Sequence, residues 1–160
     1  MDEILELLEN NSKLSAEDIS KIIKKPLKYV KKKIKEYEKE GIILKYKTVI
    51  NKELIKEDKI VEALIEVKVT PEKNLGFDHI AERIYKFKEV KACYLVSGTY
   101  DLLLIVEGKD LHTIADFVAE KLAPLKEVKG TVTHFLLKRY KEDGIVLTKK
   151  EEDKRLAITY

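Results

Sequence analysis

Seven lysines stand between positions 24 and 35 (Lys24, Lys25, Lys28, Lys31, Lys32, Lys33 and Lys35), with no acidic residue among them. Ammonium groups at this density suit a polyanion, because each neutralises a phosphate and releases its condensed counterions. Residues 1–50 hold twelve lysines against nine acids, and the rest of the chain is balanced, so all of the net charge of +3 lies in the first third. A lysine run is also the ordinary solvated face of a helix, so its setting must decide between the two readings. Other chemistries find less support. His79, His112 and His134 are dispersed, and no HExxH pattern or glycine-rich nucleotide loop occurs. Cys93 is the only cysteine, which excludes an internal disulfide and a thiolate zinc cluster; lying in an apolar stretch, it reads as core. No metal or cofactor is implied.

The elements that would position these groups follow from composition and pattern. With 44% apolar and 38% charged residues the chain can build a packed core, and 160 residues allow one ordinary domain or two small ones. No run reaches the roughly 20 apolar residues of a membrane span, and Met1 is followed by Asp2 and Glu3 instead of a signal sequence, so no membrane partner and a cytoplasmic location are expected. The absence of Gln and Trp beside abundant Lys, Glu and Ile resembles the usage of proteins from hot environments.

Ile4, Leu5 and Leu8 predict a first short helix over Asp2 to Asn11. Ser15 is an N-cap candidate for a second, with Asp18 in the capping-box place, a Leu14–Ile19 staple and a stripe of Ile19, Ile22 and Ile23. A third helix is predicted from Pro26 to Glu40, stopped by Gly41, with Leu27, Val30, Ile34 and Tyr37 inward and the lysines at 28, 31, 32 and 35 outward. Three short helices with a basic third suit a helix-turn-helix whose last helix enters the major groove of double-stranded DNA. Residues 42–50 partly alternate, like a strand or short wing.

Residues 51–59 are highly charged and read as a linker between a head of residues 1–50 and a second domain of residues 60–140, with residues 141–160 as an extension. Strands are predicted over 60–69, 90–97, 101–107 and 128–138, and helices over 77–87 and 111–122, with Gly98-Thr99-Tyr100 joining the middle strands. The fold class is α+β: a three-helix, winged helix-turn-helix followed by a ferredoxin-like βαββαβ domain. Residues 102–106, Leu-Leu-Leu-Ile-Val, are apolar on both strand faces, so the sheet face without helices needs cover. A second copy supplies it most simply, with Glu62, Glu66 and Lys68 at the rim or paired; the alternative is a monomer covered by its own tail.

The stretches 28–43, 94–106 and 126–137 (KYVKKKIKEYEKEGII, then YLVSGTYDLLLIV, then KEVKGTVTHFLL) together resemble the Lrp/AsnC family of bacterial and archaeal regulators over nearly the whole chain. The resemblance implies a homodimer, often built into tetramers or octamers, that binds promoter DNA and responds to amino acids held between its ligand-sensing domains. It places Ser97, Gly98, Tyr100 and Asp101 in an effector turn and Thr131 and Thr133 among further ligand contacts, and sets Lys33 at a position usually basic. Pro26-Leu27 and Ser20 depart from the family's usual Ser-Pro start and Ala. On this reading Lys25, Lys28, Lys31, Lys32 and Lys35 meet phosphates and Tyr29 lies near base edges, while the head, without any Arg, reads sequence only modestly. Gly98 would free backbone N–H groups for a carboxylate and Asp101 would receive an ammonium, unless both are ordinary turn residues. The rivals are a non-specific architectural DNA packer, which shares the lysine face, and a tetrapyrrole-processing enzyme of the kind found among proteins similar to this family.

Overall fold

The chain, in a computed structural model that describes residues 2–55, 60–71 and 76–147, divides into two compact units, residues 1–50 and 51–160. The first is three helices: α1 (Glu3–Asn10), α2 (Ala16–Ile23) and α3 (Leu27–Lys39). Each start has a local cause. Asp2 caps α1 by accepting from the Ile4 N–H at 2.8 Å. Ser15 and Asp18 form the reciprocal capping box of α2, so two otherwise orphaned N–H groups find acceptors. Pro26 stands one residue before α3 rather than inside it, its fixed φ of −56° leading into the helix. Ile4, Leu8, Ile19 and Val30 are buried together, with Leu7, Leu14, Ile23, Ile34 and Tyr37 against them. Ile22 is not part of that stripe: it is 53% exposed. Residues 42–50 form no strand among the described residues and pair with no neighbouring strand; Ser12 Oγ donates to Lys47 O and Tyr46 donates to Glu38.

The second unit is β1 (Val61–Val69), α4 (Asp78–Tyr85), β2 (Val90–Leu95), β3 (Leu102–Gly108), α5 (Leu111–Phe117) and β4 (Val128–Phe135), with a small hairpin of β5 (Lys141–Glu142) and β6 (Ile145–Val146). The four-stranded sheet has the order β2-β3-β1-β4, every neighbour antiparallel. This is the ferredoxin-like arrangement. Ala63, Ile65, Val67 and Val69 face the helices with Leu102, Leu104 and Val106, closing over Ile80, Ile84, Ile114, Phe117 and Leu122. Cys93 is half-buried against that core, and burial pushes its thiol up.

Two elements end otherwise than the pattern predicts. α5 passes at Val118 into a π-helical turn, Val118–Leu122, closed by Ala123 N–H donating to Val118 O. In a continued α-helix Leu122 would lie about 140° around the axis from Phe117, so the wider turn returns it to the core. Strand β4 stops at Phe135, short of Lys138, because its partner β1 begins at Val61 and Leu136 N–H already closes on Glu62 O.

A repeat links the halves of this unit. Residues 87–92 (Phe-Lys-Glu-Val-Lys-Ala) and 125–130 (Leu-Lys-Glu-Val-Lys-Gly) follow the two helices in equivalent places. Val90 N–H donates to Phe87 O as Val128 N–H donates to Leu125 O. The glutamates cross over: Glu127, nearly buried, receives Arg83 of α4 at 3.0 and 3.2 Å, and Glu89 receives Lys121 of the π turn at 2.7 Å.

Candidate nucleic-acid interface and effector turn

The turn between α2 and α3 is built by Lys24, Lys25 and Pro26. Lys24 takes the left-handed conformation, φ 53°, and the Lys24 and Lys25 N–H groups both reach Ser20 O. Ser20 Oγ donates back to Lys25 O at 2.6 Å. Ser20 therefore closes the turn that aims α3.

At 100° per residue, Lys28, Lys31, Lys32 and Lys35 fall within an arc of about 100° on α3, away from the Val30, Ile34 and Tyr37 seam. All four are exposed. Tyr29, 42% exposed, stands at the edge of that arc. Among the described residues Lys25, Lys28 and Lys35 make no ion pair, whereas Lys31 meets Glu17 of α2 at 2.7 Å and Lys32 approaches Glu36 at 3.7 Å. Lys33 lies on the inner flank, 3.2 Å from Glu36 and 5.7 Å from the Tyr37 ring centre. The Glu36 carboxylate raises its ammonium above the usual lysine range. Burial first, then the neighbouring Asp2, raises the Tyr37 hydroxyl above the usual tyrosine range.

In the second unit the connection Ser97–Tyr100 is closed by Val96 N–H donating to Asp101 O at 2.9 Å. Ser97 and Gly98 are exposed and Tyr100 and Asp101 half-buried. Gly98 needs its lack of side chain for its backbone, φ 150°, since a Cβ there would meet open space. Thr131 and Thr133 pair with Val67 and Ile65 across β1, on the helix-covered side of an edge strand. The structure thus groups Ser97, Gly98, Tyr100 and Asp101 on one flank of β1 and the two threonines on the other, about 10 Å away at two strand spacings. Asp101 does not stand free: its Oδ2 accepts from the Val69 N–H at 2.8 Å.

The helix-free sheet face presents Leu64, Leu103 and Ile105, half-buried, beside Tyr94 and Val132, each about half exposed. Its glutamates are paired, while Lys68 is exposed and has no ion pair among the described residues. Glu62 meets Arg139, Glu66 Oε1 lies 3.1 Å from His134 Nε2, and Glu107 receives Lys52 at 2.7 Å. Lys52 belongs to the short 3-10 turn Lys52–Leu54, and Asn51 donates to Leu147 O, so the start of the expected linker rests on the second unit. His79, His112 and His134 remain on three separate elements, and among the described residues no group of three His, Cys, Asp or Glu side chains is placed to hold a metal. No described helix is long and apolar enough to cross a membrane.

A lysine-faced helix-turn-helix joined to a ferredoxin-like unit defines a class of transcription regulator with a reading head and a separate ligand-binding domain. The winged helix-turn-helix DNA-binding model matches residues 3–43 and the Lrp/AsnC ligand-binding domain model residues 62–146. The chain is 43% identical to the HTH-type transcriptional regulator YugG of Bacillus subtilis over 98% of its own length and 95% of that protein's. It is 27% identical to the leucine-responsive regulatory protein of Haemophilus influenzae, covering 91% of this chain and 87% of that one. Among solved structures, a Neisseria meningitidis transcriptional regulator in complex with L-methionine superposes with a TM-score of 0.69 at 24% identity, over 88% and 89% of the two chains. Escherichia coli AsnC does so with a TM-score of 0.66 at 19% identity, over 87% and 91%. The chain belongs to the Lrp/AsnC family of DNA-binding transcription regulators.

Proposed function

We propose that this regulator binds promoter DNA in the cytoplasm as a dimer or a higher assembly, through the lysine arc of α3, that an amino acid at the Ser97–Asp101 turn modulates it, and that it catalyses no reaction. The observation that carries the DNA reading is the placement of Lys28, Lys31, Lys32 and Lys35 on one exposed arc while the opposite side of α3 is locked to α1 and α2. These lysines and Lys25 contact phosphates, and Tyr29 stands beside the bases. Without arginine forks the head discriminates modestly between sequences.

A second copy on the open sheet face buries Leu64, Leu103 and Ile105, and the pairing of Glu62, Glu66 and Glu107 lowers the cost of covering the charges around them. Two heads then read half-sites about 34 Å apart, one turn of duplex. The effector reading draws support from the Neisseria relative, whose structure holds L-methionine. The separation of the Gly98 turn from Thr131 and Thr133 favours a site completed by a neighbouring copy.

In a gel-shift series, log affinity should fall with log salt at a slope of about −5 or steeper for six phosphate contacts. Changing Lys28, Lys31, Lys32 and Lys35 together to Glu should abolish the shift at every salt concentration. Undiminished duplex binding by that variant sinks the interface. The second reading, an architectural DNA packer, shares the lysine arc; selection of bound sites from random DNA, with and without pooled amino acids, separates the two by whether any sequence is enriched.

A further inference from the structure

Asp101 offers its charge in the sequence, but in the structure its N–H, its carbonyl and one of its two carboxylate oxygens are spent on backbone. Its N–H donates to Val67 O at 3.1 Å, its carbonyl accepts from Val96 N–H at 2.9 Å, and its Oδ2 accepts from Val69 N–H at 2.8 Å. Val69 lies beyond Val67↔Leu102, the last pair of the β1–β3 ladder, so its N–H points toward β3 where no backbone acceptor remains. The Asp101 carboxylate supplies one. On its other edge β1 meets a bulge at the same place: Lys68 pairs with Gly130 and Val69 with Val128, leaving Lys129 as the extra residue. One side chain therefore fastens the β2–β3 turn to the end of β1, directly across from the bulge that carries β4 toward Thr131.

We propose that Asp101 is a positioning residue of the effector site rather than the partner of the effector's ammonium. It fixes the Ser97–Tyr100 turn against the end of β1 and so sets where the Gly98 backbone stands relative to Thr131 and Thr133. This rests on the reading of that turn as the effector site, while the fastening itself is independent of any ligand. A neutral amide keeps the acceptor and loses the charge; a glutamate keeps the charge and moves the acceptor by one methylene. The two substitutions therefore separate geometry from charge.

Hydrogen exchange on the full chain, read over residues 66–71 and 95–101, is compared for wild type, Asp101→Asn, Asp101→Glu and Asp101→Ala, alongside calorimetry with the twenty amino acids. Asp101→Asn should keep exchange in both segments and affinity for any bound amino acid within about threefold of wild type, whereas Asp101→Ala and Asp101→Glu should speed exchange there and weaken binding by about tenfold, with the Leu102–Gly108 strand still protected. Should Asp101→Ala not fold, Asp101→Glu carries the comparison. The proposal is overturned if Asp101→Glu and Asp101→Ala leave both segments as protected as in wild type, or if Asp101→Asn loses amino-acid affinity as fully as Asp101→Ala. If no amino acid binds the wild type, the effector reading fails and the exchange data alone decide whether Asp101 fastens the turn.

Discussion

Glu62 and Glu107 face each other as a directly opposed pair across β1 and β3, an arrangement that repels unless cations intervene. Arg139 takes the first and Lys52 the second, with Lys91 at 3.9 Å. Burial works against ionising Glu107, yet the hydrogen bond and charge of Lys52 outweigh it and hold its carboxyl below the usual range. Glu89 is held down in the same way, burial opposing and Lys121 prevailing. Because these folded-state values are depressed, the stabilisation is fully present above the unfolded carboxylate value of about 4.3 and is lost as pH falls through the lower folded value. The melting temperature of the second unit should therefore hold steady from about pH 7 to pH 5 and drop below about pH 4. Glu107→Gln should flatten part of that drop in calorimetric scans; an acid limb identical to wild type removes Glu107 from the account. The core answers to a different test. Ile65, fully buried at the centre of β1, should cost about 2–5 kcal/mol on truncation to alanine, seen as a lower denaturant midpoint with an unchanged slope.

At the scale of elements, sequence pattern foretells what depends on near neighbours along the chain. The Ser15–Asp18 capping box and the inward faces of β1 and α4 follow from spacing alone, and the structure forms them. The misjudged ends are those set by distant partners. Strand β4 stops where β1 has no more to offer, and residues 42–50 alternate like a strand yet find no ladder among the described residues. Phe117 enters the core one helical turn after Ile114, while Leu111 and Ala115, expected inward, are exposed, and it is Leu122 that the π turn returns to the core. Of the candidate sites, the lysine arc is plain in the sequence because α3 is regular, whereas the work of Asp101 is hidden, since Val69 lies 32 residues away. Removing the cap by Ser15→Ala should cost about 1 kcal/mol, and a measured loss below about 0.3 kcal/mol would show that packing alone holds α2 in place.

Across the whole molecule, two compact units and a sheet face that no helix covers among the described residues predict the behaviour of the assembly; the tail from residue 148, the alternative cover, lies outside those residues. Ile105→Lys puts an ammonium at the middle of the face that a second copy should cover, so light scattering should report a shift to the mass of one chain, while hydrogen exchange on β1 and β3 stays close to wild type. A dimer that survives this change places its interface elsewhere.

The strand order has a consequence for how the second unit comes into being. Its repeated halves, β1-α4-β2 and β3-α5-β4, are threaded through each other: β3 lies between β1 and β2, and β1 lies between β3 and β4. All three ladders, and both crossed glutamate pairs, join one half to the other. Neither half can gain a single rung of sheet until its counterpart arrives. Acquisition of structure by this sheet should therefore be all-or-none, and a chain cleaved between Val96 and Asp101 should yield two fragments whose second-unit parts are formless apart and regain the sheet when mixed, while residues 1–50 keep their own fold.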